Sequence, residues 1–119
     1  MKWYLAKLVF RIVCGNGNHL AQFDEQLRLV LANDRFEALD KAAKIGRQEE
    51  EAFYNNHQQL VSWQFINIAE MHAPDVLIDG AELCSHIREV EDADSYISFV
   101  HHKAAALIAQ RENQFYHLI

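Results

Sequence analysis

The chain has 119 residues, half of them apolar and 24% charged, with a formal net charge of −6 when its histidines are neutral. That length suits one domain, and that balance excludes long disordered stretches. A net anion with no basic stripe also argues against electrostatic capture of nucleic acid or of an anionic membrane.

The charge is uneven: residues 1–47 carry eight Lys and Arg against five Asp and Glu, and residues 48–119 carry three against twelve. We read this as solvated faces, although unlike halves could also attract one another within the fold or across a dimer. Cys14 and Cys84 form no CxxC pair, nothing reads as a signal peptide, and no stretch reaches the roughly 18 apolar residues of a membrane span. The expected setting is the cytoplasm, with both thiols reduced and packed as small hydrophobes.

The run "KWYLAKLVFRIVC", residues 2–14, predicts a strand. Its even positions are Tyr4, Ala6, Leu8, Phe10, Ile12 and Cys14; its odd positions are Trp3, Leu5, Lys7, Val9, Arg11 and Val13. Both sides are apolar, so a two-layer fold would leave one of them needing cover. "GNGNH" supplies the positive-φ tolerance of a chain reversal. A second strand follows in "QFDEQLRLVLA", with Phe23, Leu27, Leu29 and Leu31 sharing one side with Glu25.

The period then becomes helical. Asn33 or Asp34 is placed to cap a helix over about 34–55, with Glu37 three residues after Asp34, and Gly46 marks a bend or an end. "LVSWQFINIAEM", residues 60–71, predicts a third strand with Val61, Trp63 and Phe65 on one side and Ser62, Gln64, Ile66 and Ile68 on the other. Pro74 and Asp79–Gly80 bracket an irregular connection. "ELCSHIREV" predicts a short fourth strand carrying Leu83 and Ile87 on one side. The last helix starts at Asp92 or Asp94, with a stripe of Ile97, Val100, Ala104, Leu107, Ile108 and Arg111, and the chain ends on the apolar "FYHLI".

The expected fold is α+β: a single domain over residues 1–119, ordered ββαββα, with two layers. An antiparallel four-stranded sheet carries both helices on one face. The expected core comprises Tyr4, Leu8, Phe10, Ile12, Leu39, Trp63, Phe65, Val100, Leu107 and Ile108.

"WYLAKLVF" at the start, "EALDKAAKIG" in the first helix, and "WQF" with "DGAEL" further on resemble a family of small bacterial proteins classed as a domain of unknown function. The resemblance covers most of residues 3–85. It implies a fold and assigns no catalytic residue.

Motifs of chemistry are sparse. The glycines of "GNGNH" lack the Lys-Ser/Thr of a phosphate loop, and no serine sits in a nucleophile elbow. His101 and His102 are neighbours on a helix and point about 100° apart, a poor arrangement for one metal. The best-placed polar cluster is Glu70 and His72 on the third strand with Cys84 and His86 on the fourth. If that hairpin centres near Leu77, Glu70 would face Cys84, and a carboxylate, a thiol and two imidazoles could converge as zinc ligands. The short ligand spacings of zinc sites are missing, so no metal and no cofactor is expected.

The sequence reading therefore favours a non-enzymatic, self-associating module. Its interface would be the uncovered sheet face, with Trp3, Leu5, Val9, Val13, Ile66 and Ile68 in a homodimer. One alternative is a small metal-dependent hydrolase using the Glu70, His72, Cys84, His86 group. Another is a small-ligand binder with an aromatic-lined pocket at Trp3 or Trp63.

Overall fold

A computed structural model describes the backbone of residues 1–118 and the side-chain surroundings through residue 110. The fold is α+β in the order ββαββα: β1 (Lys2–Cys14), β2 (Gln22–Ala32), α1 (Arg35–Gln48), β3 (Glu51–Tyr54), β4 (Leu60–His72) and α2 (Ala93–Leu118). The four strands form one antiparallel sheet in the order β2-β1-β4-β3. The chain divides into two compact units, residues 1–85 and residues 86–119.

In the first unit, β1 and β2 pair symmetrically about Gly17, from Lys2↔Ala32 to Ile12↔Gln22. Gly15 and Gly17 take the positive φ angles that the reversal demands. His19 closes the loop: its Nε2 accepts from the Cys14 N–H at 3.0 Å, and its Nδ1 donates to the Leu20 carbonyl at 2.7 Å. The turn glycines thus serve a hairpin.

α1 starts as its sequence requires. Asp34 is extended and its side chain accepts from the Glu37 N–H at 2.8 Å, while Glu37 accepts from the Asn33 N–H at 3.3 Å. The helix lies across one face of the sheet, where Tyr4, Ala6, Leu8, Phe10, Val30, Ala32, Ala38, Ala42 and Met71 form the buried core. Leu39, Ile45, Trp63, Phe65 and Ile68 pack against that core while partly exposed. The even side of β1 is therefore the inner side, as its parity predicts.

Gly46 neither ends nor bends α1 before Gln48. It is buried where the helix backbone meets the Phe65 ring, and a Cβ built there would lie 2.7 Å from Phe65 Cζ and closer still to Cδ1 and Cε1. Only glycine lets helix and sheet approach this far.

Two expectations need correction. The helix expected over 34–55 stops at Gln48, and residues 51–54 form β3 against Leu60–Trp63. Glu49, Glu50 and Glu51 would sit badly at a helix C-terminus, whose partial charge is negative. Phe53 and Tyr54 suit a strand instead, with Phe53 stacked on Trp63 at 6.0 Å. The fourth strand expected at "ELCSHIREV" does not form. Leu83 and Ile87 are its only apolar pair on one side, too little for a face that must pack, and both are exposed. The count of four strands survives because β3 takes its place.

β4 also departs from simple alternation. The β1–β4 register shifts twice, between Lys7 and Leu8 and between Val9 and Phe10, leaving Ala69 and Ile66 as extra residues. Phe65 faces inward opposite Phe10, Ile68 inward opposite Leu8, and Met71 inward opposite Ala6.

The second unit contains α2, capped by Asp92. Its side chain accepts from the Ser95 N–H at 3.2 Å and from the Ser95 hydroxyl at 2.7 Å. Val100, Leu107 and Ile108, expected in the core, are exposed. Helical spacing marks a stripe but cannot say what the stripe meets. Arg111 and the terminal "FYHLI" lie outside the residues whose side chains are described. No helix among the described residues is long and apolar enough to cross a membrane.

Candidate functional site

The sheet face opposite α1 is built by the odd residues of β1 and β2. The register sets Trp3 beside Leu31, Leu5 beside Leu29, Lys7 beside Leu27, Val9 beside Glu25 and Arg11 beside Phe23. From β4, Asn67 lies opposite Val9, Glu70 opposite Lys7 and His72 opposite Leu5. Trp3, Leu5, Val9 and Val13 thus share the open side, as the parity of β1 predicts.

This face is apolar and unequally covered. Trp3 is 43% exposed, and Phe23, Leu27, Leu29 and Ile66 are between 50% and 55% exposed, whereas Leu5 is only 4% exposed. Five large apolar side chains that open on one sheet are more than scattered surface hydrophobes.

The polar groups of the face are few. Lys7 Nζ lies 3.0 Å from Glu70 Oε2. The hydrogen bond and the charge of Glu70 hold the Lys7 ammonium above its usual range against some desolvation, with smaller contributions from Glu25 and Cys84. The other ion pair among the described residues, Arg28–Glu49, belongs to the α1 side, so Arg11 and Glu25 enter neither pair.

Not every residue expected at this surface reaches it. Ile66 does, as an extra residue at a register shift. Ile68 does not: the shift on either side of it turns it inward against Leu8 and the core. Phe23, Leu27 and Leu29 were not assigned to the open face from sequence. A turn centred on Gly17 pairs odd residues with odd residues, and that signal would have placed them beside Trp3, Leu5 and Arg11.

The Glu70, His72, Cys84, His86 group does not assemble as a facing hairpin. Glu70 and His72 share the open face of β4, but residues 82–90 form no strand to oppose them, and Glu70 is held by Lys7. Among the described residues, no three of His, Cys, Asp and Glu are grouped so as to hold a metal ion. Both cysteines are free thiols.

Fold and face define a small α+β domain with one helix-covered side and one open apolar side. The chain belongs to a family named as a domain of unknown function, DUF4288, whose model matches residues 3–85. The match ends where the first compact unit ends, so the family domain is the sheet with α1. No curated protein and no solved structure matches the chain.

Proposed function

We propose that this protein is a non-enzymatic, cytoplasmic, self-associating module whose open sheet face packs against a second copy. The observation that carries this reading is the exposure of Trp3, Phe23, Leu27, Leu29 and Ile66 on one sheet face. Two free cysteines are in keeping with a reducing compartment.

Area favours a second copy as the occupant. Half-exposed side chains of this size offer roughly 100 Å² each, so the five supply on the order of 500 Å² per copy. Two copies would bury about 1,000 Å² of apolar surface. Interfaces run about 60% apolar, so the whole contact would approach the standard size of about 1,600 Å². Charge favours it too. Arg11 and Glu25 are exposed on adjacent strands of this face, outside both ion pairs, and a two-fold axis lets each meet its opposite in the partner.

The test is the mass of the untagged full chain by light scattering. A dimer is expected at tens of micromolar, and Trp3→Asp with Leu27→Asp should yield a monomer with an unchanged circular dichroism spectrum. A monomeric parent, or a dimer of unchanged affinity in the double variant, overturns the reading.

A further inference from the structure

The helix-covered side of the sheet is left open beyond the end of α1, and a cavity of about 190 Å³ forms there. Phe10, Phe53 and Trp63 line it together with Gln26, Glu49 and Glu51. We propose that this cavity binds a small organic cation, an ammonium or guanidinium group carried on a short apolar chain. The proposal is independent of whether the opposite face dimerises.

The walls are aromatic. Phe53 stacks on Trp63 with 6.0 Å between ring centroids and 22° between planes, and Phe10 is backed by Phe65 at 5.5 Å. Aromatic faces attract a cation through their quadrupole and shelter the alkyl body that carries it.

The polar groups are organised in one chain of hydrogen bonds. Trp63 Nε1–H donates to Asp24 Oδ2 at 3.2 Å, and Gln26 Nε2 donates to the same oxygen at 2.6 Å. Arg28 donates to Gln26 Oε1 through Nε at 3.1 Å and Nη2 at 2.8 Å, and it also pairs with Glu49. This chain ties β4 to β2 and β2 to the end of α1, so it fixes the indole and the amide that line the cavity before any ligand arrives. Such prior ordering favours binding, because less freedom is lost on association.

Partners account for every one of these groups except one. Asp24 accepts from Trp63 and Gln26, and Glu49 is paired with Arg28, whereas Glu51 enters neither ion pair and none of these hydrogen bonds. Glu49 is answered by Arg28 and Asp24 by two neutral donors, which leaves the charge of Glu51 unmatched in either ion pair. The missing charge is positive and its place is beside Glu51, over aromatic rings. The cavity is small and opens to solvent beside the exposed Glu51 and Phe53.

The test titrates the isotope-labelled full chain with n-butylammonium chloride and follows the Trp63 indole N–H and the backbone amides by NMR. Saturable shifts at Trp63, Phe53 and Glu51 are expected. n-Butanol has the same body without the charge and should bind at least tenfold more weakly. Glu51→Gln, at an exposed position that leaves the fold intact, should weaken n-butylammonium about tenfold and leave n-butanol unchanged. N-acetyl-lysine methylamide offers the same ammonium on a peptide. Binding tighter than n-butylammonium would assign the site to a basic peptide side chain, and weaker binding would assign it to a free amine. Shifts that do not saturate, equal affinity for n-butanol, or shifts confined to the acidic second unit would each overturn the proposal.

Discussion

Gly46→Ala should destabilise this protein, although alanine is the better helix former. The substitution gains up to about 1 kcal/mol of helix propensity in a helix interior. Against that stands the Phe65 ring, with Cζ only 2.7 Å from the new methyl group and two further ring atoms closer. Ordinary contact begins at 3.4 Å, so the ring must withdraw by about 1 Å. It has little room, because Phe10 lies behind it at 5.5 Å and is itself 1% exposed. Overpacking costs about 1–3 kcal/mol, and a displacement of about 1 Å against a buried ring belongs in the upper part of that range, about 2–3 kcal/mol, which leaves a net loss of about 1–2 kcal/mol. Urea unfolding followed by circular dichroism measures it directly. In a Phe65→Ala background the obstructing ring atoms are gone, and the same substitution should become neutral or stabilising. A Gly46→Ala protein as stable as the parent, or an unchanged loss beside Ala at position 65, would refute the close-approach argument.

Leu8→Ala and Phe10→Ala remove fully buried side chains and should each cost about 2–5 kcal/mol, read from denaturant midpoints. Asp34→Ala leaves the Glu37 N–H without its cap acceptor and should cost about 1 kcal/mol, whereas Asp34→Ser should recover most of it. Ser95 lowers the Asp92 carboxyl below its ordinary 3.8 through two hydrogen bonds. A lowered folded-state value means a contribution present above pH 3.8 and lost as pH falls through the folded value. Helicity from α2 should therefore decline in acid, and Ser95→Ala should move that decline to higher pH in a far-ultraviolet titration.

How much the sequence disclosed follows from which constraints are local. The inner side of β1 was legible because Tyr4, Ala6, Leu8 and Phe10 alternate without interruption, and the start of α1 because a cap needs only Asp34 and Glu37. The C-terminal limit of α1 was not, since three glutamates suit a solvated helix face as well as a strand approach; the deciding partner, Trp63, is remote in sequence. Ile68 was misassigned because an inserted residue changes no local pattern, and only the β1–β4 register reveals that Ile66 and Ala69 are supernumerary. The open face was half legible: Trp3, Val9 and Val13 declared themselves, whereas Phe23, Leu27 and Leu29 needed a pairing rule. The aromatic cavity had Trp63 as its only advance sign, because its remaining walls come from three other strands and the residue that follows α1.

The two irregularities in β4 have a consequence for solubility. β3 pairs only with Leu60–Trp63, so from Gln64 onward β4 has no strand on its outer side among the described residues. A straight, unpaired strand of that length would offer a ready row of N–H and C=O groups to any other extended chain, the usual start of edge-to-edge aggregation. Ile66 and Ala69 interrupt the row twice within four residues, so that no partner can run alongside in one register. Deleting either residue would remove one interruption and straighten that part of the edge, while Phe65, Ile68 and Met71 keep their inward side. The expected phenotype is fibre formation from a protein whose inner residues are all still present.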